Sequence, residues 1–428
     1  MRLARWILAS GLILAAAPMF AQTVAVGNCQ PKKTSFPTIQ QALNATPPGA
    51  TIDVCPGPHP EQILVYQAVT LKGIASGNQG AAIITVPNGG LLQNATSLVT
   101  GGEAIAAQIL VQGATGVTIT NITVDGANNG FNNGCADPDP IGIYYQNSSG
   151  TISHNTVLNE VLLPVNNGCQ AGLGIFVQSG NGGSSTVTVN NNNVANYQKN
   201  GITGNELGTS VTLTANDVVG QGPTNGAAEN SIQIGFGATG SITSNTVGSD
   251  VWAPDVFGDT GDAAAGILVY ASPNVAIKSN NVSNTQFGIA IVSDPSLGAA
   301  DGATLTSNTV SATHLYDGID LCSNNNTATG NTINGSDESA IHLDDTCTGA
   351  STGNTVTSNK INSACAGILS GPGATGNTTV PNTFYNVVTL QSTGTNICTP
   401  PPGIPQQGRS KVAYANQGSE TVGNIDNE

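Results

Sequence analysis

Gly266-Ile-Leu-Val269, then Ile277-Lys-Ser-Asn-Asn-Val282, then Gly288-Ile-Ala-Ile291, then Leu305-Thr-Ser-Asn-Thr-Val310: this stretch decides the fold. It is one motif written twice, Gly-Ile-x-Φ followed by a loop and by Φ-x-Φ-x-x-Asn-x-Val, where Φ is apolar. The motif recurs upstream at Gly142, Gly174, Gly201 and Ser231, and downstream at Gly318, Ala340 and Gly367. A weak first copy of its second half runs from Val117 to Val124. The starts lie 22 to 35 residues apart. About 22 residues therefore make one turn, and the excess is loop. Each strand is short and alternates apolar with polar, so one face is buried and one is not. A single turn cannot bury its own apolar side, so turns must stack. The Asn before each second apolar position fits a bend in the left-handed region, and stacked copies can bond as an amide ladder. The expected fold is all-β: a single-domain parallel β-helix of about ten turns, right-handed by the crossover rule.

Composition agrees and excludes rivals. The chain has 428 residues, of which 8% are charged, with 54 Gly and 47 Asn. Helix bundles need Ala/Glu/Lys/Leu-rich segments, and these are absent. An apolar content of 39% is too high for a disordered acidic chain. The net charge of −15 speaks against nucleic acid or an anionic membrane as partner, since both require a basic face. Residues 1–21 read as a secretory signal, with Arg2 and Arg5 ahead of an apolar run from Trp6 to Ala17 that is too short to span a bilayer. The mature chain is expected to be secreted, extracellular or periplasmic, monomeric and without a membrane span. Its net charge becomes −17 once the two arginines are removed. Eight Cys fit that compartment. They allow 105 pairings. Position favours Cys29 with Cys55, Cys135 with Cys169, Cys322 with Cys347 and Cys365 with Cys398, one or two stapling each part of the coil.

The segments Phe36-Pro-Thr-Ile-Gln-Gln-Ala-Leu43, Gly49-Ala-Thr-Ile-Asp-Val-Cys-Pro-Gly57, Glu61-Gln-Ile-Leu-Val65 and Val69-Thr-Leu-Lys-Gly73 resemble the entry of the pectin-lyase-like β-helix superfamily. The family's usual Gly-x-Tyr-x-Glu is Gly57-Pro-His-Pro-Glu61 here. The resemblance covers about residues 34–390 and implies a right-handed parallel β-helix. It implies no single activity, because this fold hosts lyases, esterases, epimerases, hydrolases and proteins that are not enzymes. The domain layout expected is a signal peptide (1–21), a β-helix domain (22–398) and a disordered tail (399–428). Within the domain, 34–73 supply an amphipathic helix cap and entry strands, and 117–390 supply the regular turns. Pro37 is read as the helix start, with Ile39, Ala42 and Leu43 on one face.

Chemistry is expected on the outward stripe formed by the x of Gly-Ile-x-Φ. Down the chain it reads Tyr144, Phe176, Thr203, Gln233, Leu268, Ala290, Asp320, His342, Leu369. Asp320 and His342 fall at the same position on neighbouring turns, with Asp317, Asp337, Glu338, Asp344 and Asp345 nearby. Crowded carboxylates push their pKa values apart, which gives one acid and one base. Asp317, Asp320, His342, Asp344 and Asp345 are thus the candidate catalytic set. Tyr144, Phe176, Gln233 and Trp252 are the candidate sugar-binding groups, because aromatic faces stack on sugar rings. Asp317-Gly-Ile-Asp320 resembles part of the polygalacturonase signature, although Tyr316 stands where Thr is usual. The bland alternative is a solvated acidic turn with a surface His–Asp pair.

No cofactor is expected. Ca²⁺ is the one cation that Asp250, Asp255, Asp259 and Asp262 could hold, in a loop matching no known calcium motif. Past the signal the sole arginine is Arg409, so a polyanionic substrate is disfavoured and a neutral glycan fits better. The best reading is an exported β-helix engaging extracellular polysaccharide, as a glycoside hydrolase rather than a lyase. The rival is a non-catalytic surface, adhesion or scaffold protein. A periplasmic accessory role of the NosD type is disfavoured by the lack of Met- or His-rich metal motifs.

Overall fold

The computed structural model describes residues 22–75, 80–99, 102–253, 262–394 and 411–412. The expected signal peptide and most of the expected tail lie outside these residues. The body is a right-handed parallel β-helix with three parallel ladders. The first stacks Val69–Gly73, Thr115–Thr120, Ser149–Ser153, Ser185–Asn190, Thr209–Thr214 and their successors to Thr355–Thr357. The second runs through Ile122–Asp125, Thr156–Leu158, Asn193–Ala195 and onward. The third carries the Gly-Ile motif: Asp139–Gln146, Leu173–Gln178, Asn200–Asn205, Asn230–Gly235, Ala265–Tyr270, Phe287–Val292 and Ile319–Cys322.

Register explains the repeat. Ile63, Ile109, Ile143, Ile175, Ile202, Ile232, Ile267, Ile289, Ile319, Ile341 and Ile368 lie one above another through the coil. All are buried in one continuous apolar core. Each such side chain removed from water contributes roughly 1.5–3 kcal/mol. The motif's Gly has a steric cause. A Cβ at Gly266 would lie 2.5 Å from Val282 Cγ1, and one at Gly288 would lie 2.3 Å from the Gly318 carbonyl and 2.4 Å from Val310 Cγ1. The apolar residue of Asn-x-Val packs onto the bare α-carbon of Gly-Ile, so the two halves of the motif specify each other.

The amide ladder is present. Asn155, Asn192, Asn216, Asn245, Asn280, Asn308, Asn331, Asn359 and Asn382 link side chain to side chain at 2.9–3.1 Å. From Asn192 onward each Oδ1 also accepts the backbone N–H of the Asn one turn before it, as Asn280 does from Asn245, and Asn155 Oδ1 accepts from Ile122 N. The left-handed residue, however, is the one preceding the ladder Asn: His154, Asn191, Ala215, Ser244, Ser279, Ser307, Gly330 and Ser358. The ladder Asn turns inward because its amide must satisfy buried backbone groups, and the strain falls on its neighbour.

The helix spans Ile39–Ala45, and its buried Ile39, Ala42 and Leu43 join the core. Its N-cap is Thr38, whose hydroxyl accepts from Gln41 N at 3.2 Å, so Pro37 precedes the helix. Glu61 supplies the rest of the cap, accepting from Ile39 N at 2.9 Å and Gln40 N at 3.1 Å. A carboxylate there meets the positive end of the helix and satisfies two orphan donors. Disulfides join Cys29 to Cys55, Cys135 to Cys169 and Cys322 to Cys347. Cys365 is also disulfide-bonded, and Cys398 lies outside the described residues. Such bonds belong to a chain that matures in an oxidising compartment. Among the described residues, no helix is long and apolar enough to cross a membrane.

Candidate functional site

The outward stripe is in register over its whole length. Tyr144, Phe176, Thr203, Gln233, Leu268, Ala290, Asp320, His342 and Leu369 pair in sequence along the third ladder. None of them joins the central core. Yet all are buried, at 4% exposure or less. The stripe is an outer wall with a cover, not an open groove.

At its N-terminal end the cover is visible. Ala95–Thr96 runs antiparallel to Ala104–Gln112. Gln146 Nε2 donates to Thr96 O at 2.8 Å, and Leu98 N donates to Gln178 Oε1 at 3.0 Å. Beneath it Tyr144 and Phe176 stack with centroids 4.9 Å apart, and Tyr144 Oη donates to Gln178 Oε1 at 2.6 Å. Both rings belong to a satellite apolar cluster and offer no free face to a sugar. Gln233 sits in a buried amide set, accepting from Asn200 Nδ2 and donating to Asn205 Oδ1, both at 3.1 Å. Trp252 ends the strand Thr246–Trp252, and its backbone N–H donates to Gln286 Oε1 at 2.9 Å. Its indole Nε1 is shielded from solvent.

The acidic end is where chemistry concentrates. Asp320 and His342 are register partners on adjacent turns. Asp317 is fixed by Ser339, whose backbone N–H donates to its Oδ1 at 3.0 Å and whose hydroxyl donates to the same oxygen. Its other oxygen lies 3.1 Å from His342 Nδ1. Asp320 Oδ1 stands 3.8 Å and Asp344 Oδ2 4.0 Å from that same nitrogen. Asp344 Oδ1 accepts from Thr346 N at 2.8 Å. With Nδ1 turned toward carboxylates, the proton is assigned to Nδ1 and the basic lone pair to Nε2. Nε2 is buried and makes no hydrogen bond among the described residues. This is an oriented imidazole with a free basic nitrogen, the arrangement of a general acid/base. One ligand atom each from Asp317, Asp320 and His342 lies within 4.8 Å of the others, a set that also suits a divalent cation.

Asp345 departs from this group. Its Oδ2 accepts from Gly373 N, which ties two turns together. Asp337 likewise accepts from Leu315 N at 3.0 Å on the exposed surface. Asp250 is not a loop cation ligand. It is wholly buried, accepting from Tyr197 Oη at 2.7 Å and Ser231 Oγ at 2.6 Å. Asp255 and Asp259 lie outside the described residues, as does the Asp262 side chain.

A second polar nest was not singled out from sequence. Lys199 and Glu229 occupy equivalent places before Asn200-Gly-Ile and Asn230-Ser-Ile, and Asp250 joins them. Burial pushes the Glu229 carboxyl well above the usual range, helped by the Asp250 charge, and burial does the same to Asp250. Lys199 Nζ donates to Ala228 O. Two charged residues at one repeat position on adjacent turns were the legible signal.

A model of the periplasmic copper-binding protein family NosD matches residues 239–400. No curated protein matches the chain in sequence. Among solved structures, the GH136 lacto-N-biosidase of Eubacterium ramulus superposes with a TM-score of 0.59 at 11% identity, over 86% of this chain and 68% of that one. The mannuronan C-5 epimerase AlgE4 A-module of Azotobacter vinelandii gives 0.52 at 12%, over 88% and 94%. The catalytic domain of a GH87 alpha-1,3-glucanase gives 0.51 at 15%, over 94% and 70%. At such identities the likeness is one of fold, and the chain is a right-handed parallel β-helix.

Proposed function

We propose that the mature protein is exported and engages an extracellular polysaccharide, cleaving glycosidic bonds in a neutral glycan. The observation that carries this reading is the Asp317–His342 pair with Asp320 and Asp344 beside it on the outward ladder. Asp317 holds the imidazole, His342 and Asp320 exchange protons with the substrate, and Asp344 adds negative charge that favours an oxocarbenium-like transition state. The similar folds of a lacto-N-biosidase and an alpha-1,3-glucanase support carbohydrate as the substrate class. Copper is not favoured. Copper sites draw on His, Cys and Met. The matched region holds His314 and His342 as its only histidines and no Met, and its described Cys are disulfide-bonded.

A panel of neutral polysaccharides assayed for new reducing ends tests the reading. Asp320→Asn with His342→Ala should abolish turnover and leave the melting temperature within a few degrees. Turnover that survives both substitutions removes the site from consideration. One observation favours a second reading, a non-catalytic scaffold: His342 and its carboxylates are 94% or more buried. In that case no glycan is turned over by any form of the protein.

A further inference from the structure

The outward side of the first ladder is built from a triplet. Its strands read Thr118-Ile-Thr120, Thr212-Leu-Thr214, Thr304-Leu-Thr306, Thr327-Ala-Thr329 and Thr355-Val-Thr357. Thr151-Ile-Ser153 and Ser241-Ile-Thr243 keep a hydroxyl on both sides, whereas Thr188-Val-Asn190 and Ala276-Ile-Lys278 depart. The middle residue of each triplet is buried in the central core. The residues flanking it point outward, and all but Ser153 are partly or fully exposed. From Thr118 to Thr357 the nine turns pair residue on residue with no register shift. The outward groups therefore stand in two parallel ranks. Neighbours within a rank are about 4.8 Å apart, the ranks lie about 6.6 Å apart, and each runs for about 38 Å.

Strand propensity does not account for this pattern. Thr suits any strand, so it should favour every ladder alike. On the first ladder, seven of the nine turns carry a hydroxyl at both outward positions. On the second ladder only one equivalent turn does, Thr309 with Ser311, and Asp125, Leu158, Asp217, Val219 and Lys360 stand among the others. Lys278 is the single charge among the eighteen positions of the first ladder.

Thr is β-branched and stiff at χ1, so its hydroxyl and methyl hold fixed directions. The methyl orders the water beside it, and the hydroxyl hydrogen-bonds that water. A net of such groups at these spacings templates a water layer whose two repeats are close to those of the oxygen lattice on a prism face of ice. Sugars are held differently, by aromatic faces, and none of the eighteen positions is aromatic.

We propose that this face is an ice-binding surface, whose ligand is crystalline water. Charge agrees, because ice is an uncharged lattice and this face is almost neutral in a chain of net charge −15. The face lies on a different ladder from the acidic turns, and the proposal is independent of the function proposed above.

The test is thermal hysteresis of the full mature chain on single ice crystals, with capture of the protein into slowly growing ice as a second readout. The native protein should shape the crystals and enter the ice. Thr212→Lys and Thr327→Lys each set an ammonium group in the net that must be desolvated against ice, and each should lower hysteresis by about tenfold or more. Both side chains face solvent, so the melting temperature should hold. Thr246→Lys, outward on the second ladder, should leave hysteresis unchanged. Ala276→Thr with Lys278→Thr joins the two halves of the face and should raise hysteresis by about twofold or more. Ranks of Thr that serve only as strand formers gain nothing from that repair. Absence of hysteresis and of ice capture in both the native and the repaired protein overturns the proposal, and so does an equal loss from Thr246→Lys and Thr212→Lys. Retention on an insoluble neutral polysaccharide that Thr212→Lys abolishes, without ice capture, assigns the face to a glycan and overturns it as well.

Discussion

Replacing Asn280 by Ala tests whether the amide ladder stabilises the coil or merely decorates a bend. Asn280 is 1% exposed. Its Oδ1 accepts from Asn245 N at 2.9 Å and from Asn245 Nδ2 at 3.0 Å. Its Nδ2 donates to Ile242 O at 2.9 Å and to Asn308 Oδ1 at 3.0 Å. Two of these partners have alternatives, because Asn245 Nδ2 also donates to Leu213 O and Asn308 Oδ1 still accepts from the backbone of residue 280. The other two, the Asn245 N–H and the Ile242 carbonyl, lose the side-chain partner that satisfies them. A buried backbone group left unsatisfied costs about 1–3 kcal/mol, so the substitution should cost roughly 2–5 kcal/mol. Urea unfolding followed by far-UV circular dichroism gives the midpoint and slope. Thr188→Ala, on the exposed side of Ser185–Asn190, is the control and should stay within about 0.5 kcal/mol. Hydrogen exchange adds position: the Asn245 amide should lose protection before distant turns do. A loss below about 1 kcal/mol at unchanged slope, with Asn245 still protected, would refute the reasoning.

Three further outcomes follow from the geometry. Gly288→Ala should destabilise by about 1–3 kcal/mol or more and resist rescue by Val310→Ala, since the Gly318 carbonyl still clashes; Gly266→Ala should be partly rescued by Val282→Ala, because its tightest contact is a methyl, and thermal melts of the four variants decide. Burial raises the Glu160 carboxyl well above 4.5, aided by Asp125 and Asp139. A carboxyl raised on folding keeps its protonated form in the native state, so its stabilising effect is complete below 4.5 and is lost as pH climbs toward the folded value. Glu160→Gln should therefore match the parent near pH 4.5 and exceed it at pH 8, and a larger deficit at pH 8 than at acid pH would contradict this. Cys135→Ser with Cys169→Ser opens a 34-residue separation and should cost about 2–4 kcal/mol, read as a drop in urea midpoint.

The coil was legible because its determinants are local and repeated. Gly266, Ile267, Asn280 and Val282 each reappear at fixed offsets, and stacking turns every offset into a column of contacts. The alignment of Asp320 with His342 follows from the same arithmetic. Asp317 was a candidate by its nearness in the chain, but its contact was not legible: it reaches His342 Nδ1 because Ser339 turns its carboxylate, a side-chain geometry that no spacing encodes. Nor did the sequence alone show that the outward stripe is covered. Periodicity distinguishes inside from outside for one turn, but what lies over the outside depends on segments distant in the chain, as Ala95–Thr96 does at one end. Repetition wrote the wall into the sequence, and only long-range packing decided that the wall is closed.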